Sequence, residues 1–269
     1  MRPDQVRAGD EGLTGAILLE TRELTRRFGG LAAVNRVSLS VSRGEVRSII
    51  GPNGAGKTTL FNLITGALPP TSGRIVFAGR DVTGAAPPAV FRLGMVRSFQ
   101  ISQIFPRLTA REHVSLMVHG RMRRSGRPFS GLGVSRNDAA RAVDAALARV
   151  GLLARAGDLV GTMSHGDRRL VEIAMTLAAE PELLLLDEPT AGMSPEETRQ
   201  TASLLRSLAP AVTLVIVEHD MSVVMSISDR ISVLHRGEIL AEGPPEAIQA
   251  NRDVQAVYLG GGPGGGAAA

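Results

Sequence analysis

No cysteine occurs among the 269 residues, which excludes a disulfide framework, a thiolate metal site and a cysteine nucleophile. Tryptophan is absent as well, tyrosine occurs once, at Tyr258, and lysine once, at Lys57, although the chain carries 30 basic residues. The formal net charge of +4 is too modest to mark a polyanion-binding surface, and no nucleic-acid partner is expected. Long apolar runs are missing too. The longest, Leu183 to Leu186 and Val212 to Val217, fall far short of the roughly 20 residues needed to cross a bilayer. Met1 to Gly15 mixes Arg, Asp and Glu without an apolar segment, so residues 1–15 are expected to be a flexible leader rather than a secretory signal, and the setting cytoplasmic.

What is present alternates strand and helix signals. Ile17 to Thr21 and Val37 to Val41 predict short strands of an antiparallel edge sheet. Val46 to Ile50 predicts a buried strand running into a glycine-rich turn, and Lys57 to Leu68 predicts a helix stopped by Pro69-Pro70. Arg74 to Phe77 resumes as strand. Leu108 to about Leu177 reads as helical, with Ala142, Val143, Ala146, Leu147 and Val150 forming one apolar stripe. Arg121 to Phe129, with four arginines, glycine and proline, reads as a solvated loop. Strands at Leu183 to Leu186 and Val212 to Val217, with a helix at Pro195 to Leu208 between them, imply a right-handed parallel crossover. Ile231 to Leu234 and Glu238 to Ala241 predict a hairpin across Arg236-Gly237. The expectation is an α/β fold: one domain over residues 16–259, a helical subdomain inserted at about 101–180, and a disordered Gly/Ala tail at 260–269.

The chemistry is carried first by Gly51-Pro52-Asn53-Gly54-Ala55-Gly56-Lys57-Thr58, with Thr59 next in line. This satisfies G-x-x-x-x-G-K-[ST] between a buried strand and a helix, the context in which backbone N–H groups converge on a phosphate. There the Lys57 ammonium bridges β- and γ-oxygens of ATP and the Thr58 hydroxyl holds Mg²⁺. The one lysine falls where a compact ammonium fits and a planar guanidinium does not. Downstream, Leu183-Leu184-Leu185-Leu186-Asp187-Glu188 ends an apolar strand in two carboxylates. Asp187 is placed to serve the Mg²⁺ shell and Glu188 the attacking water. His113 and His119, six apart, fall on different helix faces, and His165 with Asp167 lacks further His or Cys, so no metal–histidine site is expected.

These motifs resemble the ATP-binding subunits of ABC transporters, over essentially Leu18 to Leu259. Ser164-His165-Gly166-Asp167-Arg168 stands where the family's LSGGQ signature stands, with His and Asp in place of a glycine and the glutamine. Gln100 stands at the Q-loop, touching Mg²⁺ and the reaction, His219 at the switch histidine, and Phe28 at the aromatic that stacks on adenine. The resemblance implies a P-loop NTPase core with a mainly parallel sheet and an N-terminal antiparallel β subdomain. It also implies a head-to-tail dimer in which Ser164, Gly166 and Asp167 meet nucleotide held by the other subunit's cradle. Ala191-Gly192-Met193-Ser194 replaces the usual D-loop and lacks its aspartate.

Within the family, Arg27-Phe28-Gly29-Gly30-Leu31, Ser98-Phe99-Gln100 with Ile104-Phe105-Pro106-Arg107-Leu108, Val217-Glu218-His219-Asp220-Met221 and Val257-Tyr258-Leu259-Gly260 are similar to the LivG-type branch of branched-chain amino acid importers. The resemblance implies a peripheral ATPase on the cytoplasmic face of the inner membrane. Its partners would be a second ABC ATPase subunit, homo- or heteromeric, transmembrane permease subunits, and indirectly an extracytoplasmic solute-binding protein. A urea or short-amide importer, a lipopolysaccharide exporter and a non-transport ABC ATPase remain as alternatives.

Overall fold

The computed structural model describes residues 15–98, 105–124 and 136–259. Its strands are β1 (Ile17–Phe28), β2 (Leu31–Ser42), β3 (Val46–Ile50), β4 (Ser72–Phe77), β5 (Arg80–Asp81), β6 (Met95–Arg97), β7 (Leu183–Asp187), β8 (Thr213–Val217), β9 (Arg230–His235) and β10 (Glu238–Gly243). The helices are α1 (Lys57–Ile64), α2 (Pro87–Arg92), α3 (Ala110–Arg124), α4 (Arg136–Arg149), α5 (His165–Ala178), α6 (Pro195–Leu208), α7 (Met221–Ile227), α8 (Pro245–Ala250) and α9 (Arg252–Leu259).

Two sheets organise these elements. The larger runs β10-β9-β3-β8-β7-β6, with β9, β3, β8, β7 and β6 parallel and β10 antiparallel at the edge. The smaller is antiparallel, in the order β2-β1-β4-β5. Because side chains alternate across a strand, the larger sheet feeds two cores. Val46, Val96, Leu184, Leu186, Leu214 and Ile216 pack with α3 to α6. Ile49, Met95, Leu183, Leu185, Val215 and Val217 pack against α1 and the smaller sheet. The near-continuous apolar run of β7 is thus explained by burial on both faces.

The parallel pairing of β7 with β8 across α6 and the β9–β10 hairpin, whose turn residues Arg236 and Gly237 both have positive φ, match expectation. So do the bounds of α6, set by Ser194 and Glu197 in a reciprocal capping box ahead of Pro195. Three expectations are corrected. The strands foreseen at 17–21 and 37–41 are each twelve residues long, because irregular pairing at Glu23 and Arg36, both at positive φ, lets the hairpin continue through charged residues. Helix α1 ends at Ile64 instead of reaching residue 68: Gly66 has φ +73, and a Cβ there would lie 2.0 Å from the Ala85 carbonyl oxygen. Arg121 to Arg124 belong to α3, not to a loop, and Arg121 pairs with Glu180. The leader through residue 14, Gln100, residues 125–129 of the arginine-rich stretch and the tail at 260–269 lie outside the described residues.

Candidate nucleotide site

Four neighbouring parallel strands deliver the site. The glycine loop follows β3, His219 follows β8, Asp187 ends β7 with Glu188 next, and Arg97 ends β6. They meet at the carboxyl edge of the sheet, where open α/β sheets bind ligands. Gly51 to Gly56 turn directly into α1, so the loop's N–H groups and the positive end of the helix converge on one place.

Sterics hold the loop open. A Cβ at Gly51 would lie 2.1 Å from the Leu234 carbonyl oxygen, and one at Gly56, whose φ is +105, would lie 2.4 Å from that of Ala33. The hairpin turn buttresses the other side, with Gly237 N donating to Ala55 O at 2.9 Å and Asn35 N to Gly237 O at 2.7 Å. The loop is therefore wedged between β2 and the β9–β10 turn.

Lys57 is 7% exposed, and its Nζ donates to the carbonyls of Gly51 (2.6 Å) and Pro52 (3.2 Å). Among the described residues no carboxylate lies within 4.0 Å of that ammonium. Burial pulls its pKa below the ordinary lysine value, while the charges of Glu188 and Asp187 push it back. A buried cation held only by carbonyl oxygens, beside a loop whose Gly51 and Gly56 leave no room for a Cβ against the neighbouring backbone, fits a polyphosphate. Thr58 is exposed and Thr59 half-buried at the same turn, beside Pro52, Asn53, Gly54 and Ala55.

Asp187, its side chain 9% exposed, receives Arg97 Nη2 on Oδ2 at 2.8 Å. Arg97 is itself fixed by Asn62 Oδ1 at 2.5 Å and lies over the Phe61 ring, 5.6 Å from its centroid. Glu188 sits just past the strand at φ +50, and its Oε1 lies 2.7 Å from His219 Nε2. Glu218, 4% exposed, ties the two loops together: its carboxylate takes Thr190 N at 3.0 Å and His219 N at 2.9 Å. The structure thus brings Lys57, Asp187, Glu188 and His219 to one edge, and Arg97 and Glu218 are the members that sequence reasoning missed. The Glu218-His219 adjacency was an available signal for the latter.

The signature residues lie at the start of α5. Ser164 caps the helix, its Oγ accepting from Asp167 N at 3.1 Å. Gly166 packs so closely on Glu197 that a Cβ would lie 2.5 Å from Oε1. Asp167 is committed to Arg155, at 2.6 Å; burial opposes its charge, but the bonds from Arg155 and Ser164 outweigh this and lower its pKa. Phe28 ends β1, 48% exposed, with the Arg26 guanidinium 4.8 Å from its centroid. His113 is fully buried, donating from Nδ1 to Thr109 O and accepting at Nε2 from Phe105 N, and His119 bonds Ser115; both are structural. No cluster of three or more His, Asp or Glu that could hold a metal occurs among the described residues.

Fold and site together define an ATP-binding cassette, and the chain belongs to the ABC transporter family: residues 34–191 match the family described as ABC transporter, and the cassette is an ATPase. Residues 238–263 match the family described as branched-chain amino acid ATP-binding cassette transporter. The chain is 42% identical over 251 residues to the high-affinity branched-chain amino acid transport ATP-binding protein LivG of Salmonella typhimurium, covering 90% of this chain and 98% of that one. Its fold matches the ADP conformation of an ATP-binding cassette of an ABC transporter with a TM-score of 0.80 at 29% identity, over 91% of this chain and 99% of that one. It also matches a dimeric, post-hydrolysis cassette bound to ADP and Pi, with a TM-score of 0.72 at 25% identity, over 85% and 99%.

Proposed function

We propose that this chain is the ATP-hydrolysing subunit of a membrane importer for branched-chain amino acids. It works on the cytoplasmic face, paired with a second ATP-binding subunit and docked on permease subunits, while an extracytoplasmic binding protein selects solute. The observation that carries this reading is that the likeness to a branched-chain transport ATP-binding protein covers 90% of the chain at 42% identity. No helix among the described residues is long and apolar enough to cross a membrane, consistent with a subunit that reaches the bilayer through partners.

In this reading the N–H groups of residues 53–59 and the Lys57 ammonium bind the triphosphate, and Phe28 supports the base. Thr58 and Asp187, with Gln100, would hold Mg²⁺, which when bound neutralises phosphate charge and orients the terminal phosphate for in-line attack. Glu188 accepts the proton of the attacking water, and His219 holds the Glu188 carboxylate through Nε2. Ser164 and Gly166 present a hydroxyl and a helix N-terminus to nucleotide on the partner's cradle.

The test is uptake by proteoliposomes carrying the permease, this chain and the second ATP-binding subunit, with the extracytoplasmic binding protein supplied. ATP-dependent accumulation of leucine, isoleucine and valine is expected, and Lys57→Ala is expected to abolish both uptake and tight Mg·ATP binding, because no second lysine exists to substitute. Accumulation of urea or short amides in place of the three amino acids would overturn the solute assignment.

A further inference from the structure

Five residues past Ser164 on α5, Arg169 is 6% exposed and Glu172 is 4% exposed. Neither belongs to the cradle. Arg169 Nη1 donates to Glu172 Oε2 at 2.6 Å, and Nη2 donates to the backbone oxygen of Glu188 at 3.2 Å. Its Nε has no hydrogen-bond partner among the described residues. A desolvated pair with an orphaned donor is an expensive way to fill space, since apolar residues of similar volume do this as well or better. Among the described residues the pair's one hydrogen bond outside α5 is with Glu188.

That contact falls where the backbone needs restraint. Glu188 lies at φ +50, a conformation that L-residues other than glycine visit rarely. Its N–H donates to Val217 O at 2.8 Å, and its carbonyl accepts from Ala191 N at 3.2 Å as well as from Arg169. The first turn of α5 grips the far end of the same segment: His165 Nε2 lies 3.1 Å from Ala191 O, and Gly166 abuts Glu197. Arg169, His165 and Gly166 thus join α5 to residues 188–197 at three places.

We propose that Arg169 is a positioning residue that locks the backbone of Glu188 to α5, so that the helix presenting Ser164 to the partner's nucleotide also sets the aim of the Glu188 carboxylate in its own site. This rests on the assignment of Glu188 as the base. It gives the chain a route between the two sites that does not need an aspartate in residues 191–194.

The test uses the full chain and separates packing from aim. Burial pushes the Glu172 carboxyl above its ordinary range, opposed by the bond from Arg169 and its charge, so removing Arg169 alone would also disturb packing. Arg169→Met/Glu172→Leu removes both charges together. We expect its melting temperature to equal or exceed that of the wild type, its ATP affinity in EDTA to stay within about twofold, and its kcat to fall about tenfold with KM unchanged. Arg169→Lys should restore part of kcat. In the Glu188→Gln background the double substitution should cost nothing further, because both act on one group. Wild-type kcat in the double variant, or a loss that multiplies with that of Glu188→Gln, overturns the proposal. Wild-type hydrolysis by Glu188→Gln alone would instead sink the assignment of the base, and the proposal with it.

Discussion

Phe28 offers half of its ring to solvent while Arg26 covers the other face, an arrangement in which an aromatic plane is held ready for a stacked base. Phe28→Ala is expected to weaken nucleotide binding by ~1 kcal/mol, read by calorimetric titration. An unchanged affinity would leave Phe28 as no more than a support for Arg26. At this scale the legible residues were those whose chemistry demands a local pattern: Lys57 in its glycine loop, Glu188 at a strand end, His219 after the next strand. Arg97 and Arg169 were invisible for a physical reason. Of 30 basic residues only one is lysine, so nothing in composition separates the two arginines that meet Asp187 and Glu188 from the many that face water. Only the sheet order, which brings β6 beside β7, selects the first, and the packing of α5 on residues 188–197 selects the second.

Elements were legible where their ends are written locally. Helix α6 carries its own start signal in Ser194, Pro195 and Glu197, and its bounds followed. Strands β1 and β2 do not, since their length is decided by partners many residues away and by bulges that shift the alternation. The glycine loop joins both kinds of information: its motif is local, but its rigidity comes from β2 and from the β9–β10 turn. Gly56→Ala places a methyl group against the Ala33 carbonyl at a φ that disfavours side chains. Strain and overlap together should cost about 2–4 kcal/mol, measured by urea unfolding. Wild-type stability would mean that β2 yields freely and does not fix the cradle.

For the whole molecule, the proposed function makes the cradle at the edge of the large sheet and the Ser164 corner at the start of α5 the two halves of a seam that a second subunit closes. Glu188→Gln should retain ATP binding, slow hydrolysis by at least about 10²-fold, and accumulate an ATP-bound dimer, seen in light scattering as a doubled mass with Mg·ATP. A protomer mass at saturating nucleotide, both alone and with the partner ATP-binding subunit added, would argue against a seam of this kind. The sequence could indicate such pairing only through its resemblance to a family, because hydrophobic periodicity describes how a chain buries its own apolar faces, not the polar surface it keeps for a copy.

The burial of Lys57 beneath the carbonyls of Gly51 and Pro52 has a practical corollary. The chain's one side-chain amine is 7% exposed and engaged by two carbonyl oxygens, so acylation of Lys57 by amine-directed dyes or biotin esters is expected to be slow while the fold holds and to speed up once urea opens it, which turns lysine labelling into a readout of cradle integrity.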